Sequence, residues 1–158
     1  MSEDEQLKLE NQICFPIYSV SRLITKAYKP YLDKLELTYP QYLVLLVLWE
    51  EHKLSVNKIG EKLMLNTNTL SPLLKRMEKN ELLKRNRSSN DERTVLVGLT
   101  DKGLSYKEKA AHIPQNLLNT LLNDNMELSE VLVLKNTLES WIDILSDTSE
   151  KSTDNTKQ

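Results

Sequence analysis

The spacing of apolar residues changes from helical to strand-like between positions 67 and 99, and this change constrains the fold more than any other feature. Four apolar residues first follow the i, i+3, i+4, i+7 pattern of one helical face: Leu70, Leu73, Leu74 and Met77. Three more then alternate with other residues along a strand: Val95, Val97 and Leu99. Residues 83–87 form the preceding strand, and the polar segment 88–92 is the turn between the two. The sequence therefore predicts a helix of about three turns followed by a β-hairpin.

Three helices are predicted before this pair of elements. The first is a long helix with apolar residues at spacings of three and four, from Ile13 to Tyr31. Thr38 and Pro40 begin the second, which contains an eight-residue apolar run at 42–49. Ser55 caps a short third helix, and the polar cluster 66–69 separates that helix from the next. This order of elements is that of a winged helix-turn-helix.

The remaining chain is also predicted to be helical. Thr100 opens a helix that continues to about residue 121, with a kink expected at Pro114. A last helix is expected to start after Ser129. No apolar residue follows Ser146, so residues 147–158 are predicted to form a disordered tail. The predicted fold class is mainly α with a small β-hairpin.

Charge is distributed unevenly along the chain. The formal net charge is −2, which taken alone disfavours a nucleic-acid partner. Residues 53–103, however, hold 11 Lys and Arg against 6 Asp and Glu, so this third carries +5 and the remainder carries −7. The basic segment coincides with the predicted helix-turn-helix and hairpin, which favours double-stranded DNA as the partner.

Candidate DNA contacts lie on the predicted helix 67–79, away from its apolar stripe: Thr67, Asn68, Thr69, Ser71, Lys75, Arg76 and Lys79. Short polar side chains at the start of a helix suit base edges, and the cations that follow suit phosphates. The alternative interpretation is a surface helix with solvated lysines.

The hairpin supplies four further candidates: Arg85, Arg87, Asp91 and Arg93. An arginine at a hairpin tip can enter a minor groove, where the potential is most negative. We expect Asp91 to hold the Arg93 guanidinium by a bidentate pair. The alternative is an ordinary exposed salt bridge, which contributes less than about 1 kcal/mol.

Several classes of protein and site are disfavoured by composition. The single cysteine, Cys14, excludes a disulfide within the chain, and with two histidines it cannot complete a cysteine zinc site. We expect no metal and no cofactor. The longest apolar run is too short to span a bilayer, and the first residues are acidic where a signal peptide is basic. A cytoplasmic location, with no membrane partner, is therefore expected.

Three motifs, in order, resemble one family. They are 37–45 (LTYPQYLVL), 66–78 (NTNTLSPLLKRME), and Asp91-Glu-Arg93 followed by 99–103 (LTDKG). The chain resembles, over residues 7–146, the multiple-antibiotic-resistance regulator (MarR) family, and within it the one-cysteine OhrR branch that includes MgrA and SarZ.

The resemblance implies a homodimer with intertwined terminal helices and two winged helices on a pseudo-palindromic operator. The implied domains are a dimerisation helix at 1–36, a DNA-binding domain at 37–103 with its wing at 82–99, and dimerisation helices at 104–146.

The resemblance also gives Cys14 a role. Taken alone, a cysteine on an apolar helical face is usually a small buried hydrophobe. In OhrR-like regulators it is the oxidation sensor; the matching tyrosine partners across the dimer are Tyr28 and Tyr39, and Tyr18 is a third that moves on oxidation. A thiolate attacks an organic hydroperoxide to give a sulfenic acid. Since there is no second cysteine, the sulfenic acid is expected to pass to a small thiol or to overoxidise, releasing operator DNA.

Three alternatives stay open at this point. The chain could be a MarR-type regulator of a small aromatic ligand, a thiol peroxidase with Cys14 as nucleophile, or an interaction module that does not bind DNA. Loss of the hydroperoxide response in Cys14→Ser separates the redox sensor from the ligand sensor. Affinity that weakens with salt separates DNA binding from the interaction module.

Overall fold

The computed structural model describes residues 2–88, 91, 93–122 and 126–154, with the side chains of the last helix up to Asp147. Two compact units divide the chain, Met1–Ile113 and Pro114–Gln158. The first unit holds six complete helices: α1 (Glu3–Gln6), α2 (Cys14–Leu32), α3 (Tyr39–Glu51), α4 (Val56–Leu63), α5 (Thr67–Lys79) and α6 (Asp101–Ala110). Single 3₁₀ turns lie at Leu9–Asn11 and Asp33–Leu35. The mainly α winged-helix fold class predicted from the sequence is confirmed.

Local caps begin the helices of the predicted DNA-binding domain. The Thr38 hydroxyl accepts from the backbone N–H of Gln41, while the Gln41 side chain accepts from the N–H of Thr38 at 2.8 Å. Ser55 Oγ accepts from the N–H of Lys58 at 3.2 Å. These reciprocal and single caps satisfy backbone donors that have no partner within the helix. The helix starts predicted at Thr38 and Ser55 are confirmed.

The sheet has three antiparallel strands: β1 (Lys53–Ser55), β2 (Leu83–Arg87) and β3 (Val95–Leu99), in the order β1-β3-β2. Val97, at the centre of β3, lies opposite Leu54 on one side and Arg85 on the other. The predicted hairpin is present, and β1 adds a third strand that the sequence did not predict. A strand of three residues is too short to show alternation, so β1 had no signal in the sequence.

The core of the first unit is built around α3, which is buried on nearly all sides. Its buried residues are Gln41, Tyr42, Val44, Leu45, Val47, Leu48 and Trp49. The apolar stripe predicted on α5 is buried against the same cluster: Leu70, Leu73, Leu74 and Met77. Burial of this stripe leaves the opposite face of α5 directed outward.

The segment after the sheet differs from the prediction in two respects. One kinked helix was expected over 100–121, but α6 ends at Ala110 and α7 (Ile113–Leu121) starts anew. Pro114 is the second residue of α7, where its missing N–H costs no hydrogen bond. The last helix, α8 (Leu128–Asp154), continues well past residue 147 because no Gly or Pro interrupts it. This helix extends over residues 147–154 of the predicted tail, and 155–158 lie outside the described residues. None of the described helices is long and apolar enough to cross a bilayer.

Candidate DNA interface and redox site

The outward face of α5 carries the residues predicted to contact DNA. Asn66 caps the helix, its Oδ1 accepting from the N–H of Thr69 at 2.9 Å. Six of the seven candidates are exposed, and Ser71 is half-buried. Among the described residues, no carboxylate pairs with Lys75, Arg76 or Lys79. Their charges are therefore available to an anionic partner.

Arg85, predicted as a DNA contact, is engaged within the protein. Its Nε–H donates to Oε2 of Glu78 at 2.9 Å, and its backbone N–H donates to Oε1 at 2.9 Å. The side chain-to-side chain hydrogen bond from Arg85 is the main reason that the pKa of Glu78 is lowered. Arg87, at the end of β2, is exposed.

Asp91 shapes the wing differently from the expectation. The predicted pair with the Arg93 guanidinium is wrong: no such ion pair occurs in the described part of the wing. Asp91 accepts instead from the Thr94 hydroxyl at 2.7 Å and from the backbone N–H of Arg93 at 3.0 Å. These two bonds, that of Thr94 first, lower the pKa of Asp91. The Thr94 hydroxyl and the backbone N–H of Arg93 bond both oxygens of this carboxylate, so Asp91 holds the turn and the Arg93 side chain stays exposed. Residues 89, 90 and 92 of the predicted turn lie outside the described residues.

Cys14 is the first residue of α2 and is exposed. Tyr18 follows one turn later and is 58% exposed, its hydroxyl accepting from Arg22 Nη1 at 3.2 Å. Tyr28 lies fourteen residues after Cys14 on the same continuous helix. At 1.5 Å per residue this places it about 21 Å further along the axis. Cys14 and Tyr28 of one chain therefore cannot touch.

The structure brings Tyr28 and Tyr39 together and adds a third tyrosine. The ring centroids of Tyr28 lie 4.9 Å from those of Tyr39 and 5.7 Å from those of Tyr42. Burial raises the pKa of Tyr28 and of Tyr39, and together with the neighbouring tyrosines it raises the pKa of Tyr42 to about 12. The hydroxyls of this tyrosine cluster (Tyr28, Tyr39 and Tyr42) are therefore neutral at neutral pH.

Tyr42 was not singled out in the sequence. Its signal was the spacing of three from Tyr39 on a predicted helix, which places both rings on one side. No group of three or more His, Cys, Asp or Glu that could hold a metal ion occurs among the residues described.

Comparison with known proteins matches residues 26–110 to the family model "Transcriptional regulator SarA/Rot". The organic hydroperoxide resistance transcriptional regulator of Bacillus subtilis is 51% identical over 127 residues, covering 80% of this chain and 86% of that protein. The chain belongs to this family of DNA-binding transcriptional regulators. The resemblance to the MarR family and its OhrR branch is thereby confirmed. The family and these relatives are regulators and not enzymes, which removes the thiol peroxidase.

Solved structures of AbfR, a protein of Staphylococcus epidermidis, share the fold. Reduced AbfR bound to DNA superposes with a TM-score of 0.76 at 38% identity, covering 91% of this chain and 99% of that one. Overoxidised AbfR bound to DNA gives a TM-score of 0.72 at 38% identity, with the same two coverages. AbfR has thus been solved on DNA in both a reduced and an overoxidised state.

Proposed function

We propose that this regulator is a homodimeric repressor that releases its operator when an organic hydroperoxide oxidises Cys14. The observation that carries the proposal is the separation of about 21 Å between Cys14 and Tyr28 along α2. A sensor made of the cysteine and the tyrosine cluster therefore needs two chains. A cytoplasmic location is part of the same proposal, because the relatives are DNA-binding regulators.

Exposed apolar side chains support the dimer. On α2 and just before it they are Ile13, Phe15, Ile17, Tyr18, Val20 and Leu23. On α8 they include Leu132, Val133, Leu134, Trp141, Ile142 and Leu145. A monomer rarely leaves so many large apolar side chains in water along continuous helices. In the proposed homodimer with intertwined terminal helices, a second copy of the chain covers both surfaces. Residues 1–36 and 104–146 are the proposed dimerisation segments.

The chemistry follows from the composite site. The Cys14 thiolate attacks one peroxide oxygen, the O–O bond breaks, and the alcohol leaves as sulfur becomes a sulfenic acid. A small thiol then condenses with the sulfenic acid, releasing water and forming a mixed disulfide. Tyr28 and Tyr39 of the partner subunit supply neutral hydroxyl donors and an apolar wall for the organic group. The added bulk separates the two chains at this point and displaces the two winged helices relative to each other.

DNA contact is assigned to α5 and the wing. The exposed face of α5 enters the major groove, and Arg93 enters the adjacent minor groove. Arg87 remains a candidate phosphate contact. The two half-sites lie one helical turn apart, with about 34 Å between their centres. Both winged helices can therefore bind only if the distance and orientation between them change little.

A chain-swap experiment tests the composite site. Heterodimers are prepared in which one chain carries Cys14→Ser and the other carries Tyr28→Phe with Tyr39→Phe. This pairing leaves one intact site, which joins the cysteine of the second chain to the tyrosines of the first. The matched control places all three changes on one chain opposite a wild-type chain, and it leaves none.

We expect rapid cysteine oxidation by cumene hydroperoxide, followed by quenched mass spectrometry, only in the first heterodimer. If the control oxidises faster, the cysteine and tyrosines of one chain form the site, and the proposal fails.

The DNA interface is tested by salt dependence on a duplex selected in vitro for tight binding to the wild-type protein. Lys75→Ala and Arg93→Ala should each weaken binding and reduce the slope of log K against log salt by about 1, because each removes a contact with the DNA backbone or groove. Lys135→Ala is the control, because Lys135 pairs with Glu139 on α8. This variant should change neither the affinity for DNA nor the salt slope. Affinity that does not weaken with salt would favour the interaction module.

A groove of about 560 Å³ favours one second candidate, a regulator of a small aromatic ligand. Its lining combines cations, hydroxyls and an aromatic ring, among them Arg22, Lys26, Thr38 and Tyr39. An aromatic acid matches that chemistry. This candidate requires that an inducer still dissociate the complex formed by Cys14→Ser.

A further inference from the structure

One carboxylate joins the end of α5 to the first strand of the wing. Glu78 is the penultimate residue of α5, and Arg85 is the central residue of β2. Arg85 donates to it three times: its backbone N–H to Oε1 at 2.9 Å, its Nε–H to Oε2 at 2.9 Å, and Nη2 to Oε2 at 2.5 Å. Both the main chain and the side chain of β2 are therefore tied to α5 through Glu78.

This pair is more shielded from water than the other ion pairs of the described residues. The side chains of Arg85 and Glu78 are 25% and 34% exposed, whereas every other paired side chain is at least 40% exposed. Exposed pairs contribute little, because water and salt screen them. A planar guanidinium that bonds a partly shielded carboxylate through more than one donor fixes geometry as well as charge.

The pair lies where the wing meets the rest of the domain. The β2–β3 ladder runs without a break from Leu83 opposite Leu99 to Arg87 opposite Val95. Asp91 fixes the turn beyond it, next to Arg93. Because the wing is tied together along this length, its direction relative to α5 is set at its base.

We infer that Glu78 is a positioning residue for DNA recognition, which holds the wing at the angle that lets α5 and Arg93 engage DNA together. Arg85 acts through Glu78 and not through a phosphate. The inference rests on the proposed entry of Arg93 into the minor groove.

The direction in which DNA affinity changes when the Glu78 charge is removed distinguishes a positioning role from a purely electrostatic one. Removing a carboxylate from a basic DNA-binding segment should strengthen binding to the polyanion. A positioning role predicts the opposite for Glu78→Gln, since an amide holds the guanidinium poorly. We expect about tenfold weaker binding to the selected duplex, a loss of about 1.4 kcal/mol by the standard conversion. Arg85→Lys should match it, because lysine keeps the charge but lacks the planar fork.

The experiment combines titration of the selected duplex with hydroxyl-radical footprinting. Glu78→Gln and Arg85→Lys should lose protection at the flanks contacted by the wing and keep it at the centre of each half-site. The double variant should bind no more weakly than either single one, because both break one contact. Circular dichroism checks the fold, and Arg85→Lys carries the test if Glu78→Gln does not fold.

Two results overturn the inference. One is binding by Glu78→Gln that equals or exceeds that of wild type. The other is a loss of about one unit of salt slope in Arg85→Gln that Arg85→Lys restores, since that pattern marks a phosphate contact. Footprinting of Arg93→Ala distinguishes a failure of the positioning role from a failure of the proposed wing contact. If Arg93→Ala keeps the flanks protected, the wing contact itself is wrong; if it loses them while Glu78→Gln keeps them, only the positioning role is wrong.

Discussion

The indole Nε1–H of Trp49 donates a buried hydrogen bond of 2.9 Å to the carbonyl oxygen of Gly103. This bond joins the end of α3 to the first turn of α6, 54 residues further along the chain. The ring of Trp49 also lies edge-on to Tyr42, with centroids 6.2 Å apart. Trp49 thus links the tyrosine cluster to the element that follows the wing.

Trp49→Phe should destabilise the protein. Phenylalanine keeps an aromatic ring but removes the donor, so the protein loses one buried hydrogen bond, at a cost of about 0.5–1.5 kcal/mol. Urea unfolding at one fixed protein concentration measures the loss. Trp141→Phe is the matched control, because the Trp141 indole makes no hydrogen bond to any described residue, and its effect should be smaller. Equal losses in the two variants would show that the hydrogen bond to Gly103 contributes nothing.

Gly103→Ala should be far more damaging than Gly98→Ala. A Cβ at Gly103 would lie 2.0 Å from the carbonyl oxygen of Leu82, which is backbone and cannot rotate away. A Cβ at Gly98 would lie no closer than 3.7 Å to any atom, an ordinary contact. Forcing atoms into a packed site costs about 1–3 kcal/mol or more. Thermal unfolding should show a large fall for Gly103→Ala and little change for Gly98→Ala, and similar values for both would contradict the close approach.

Stability should fall at high pH because of the tyrosine cluster. The folded state raises the pKa of Tyr42 from 10.0 to about 12, so folding favours the protonated hydroxyl. The resulting stability is fully present below about pH 10 and is lost as pH rises towards 12, since the unfolded chain then binds fewer protons. Tyr42→Phe should flatten the decline of the unfolding free energy measured by urea between these pH values. Tyr18→Phe removes an exposed hydroxyl and is the control; an unchanged slope in Tyr42→Phe would count against the cluster.

Features set by near neighbours could be predicted from the sequence. The caps at Thr38 and Ser55 bond donors three residues away, so residue type and spacing were sufficient. The buried stripe of α5 follows from helical periodicity alone. Proximity in sequence also pointed to Asp91 as a residue that organises the wing. Its predicted partner was wrong, because the carboxylate bonds the Thr94 hydroxyl and the backbone N–H of Arg93 and not the Arg93 guanidinium.

Features set by distant pairing could not be predicted. Strand β1 exists because Leu54 pairs with Val97, and three residues carry no periodic pattern of their own. Arg85 looked like a free cation although Glu78 is only seven residues away, because the two lie on different elements that meet only once the chain turns between α5 and β2. Tyr42 joined the cluster only when α2 and α3 packed together. The proposed roles of Cys14 and the tyrosines came from the family resemblance, and the helix geometry adds only that Cys14 and Tyr28 of one chain lie too far apart to touch.

The most direct test of the account is the release of the selected duplex by cumene hydroperoxide with a small thiol, followed by gel shift for wild type and Cys14→Ser. Wild type should lose affinity at least tenfold, gain the mass of one thiol at Cys14, and recover binding with dithiothreitol. Cys14→Ser should bind as the reduced wild type does and stay bound. Release of DNA that persists in Cys14→Ser, or full binding by wild type carrying the thiol adduct, would contradict the account.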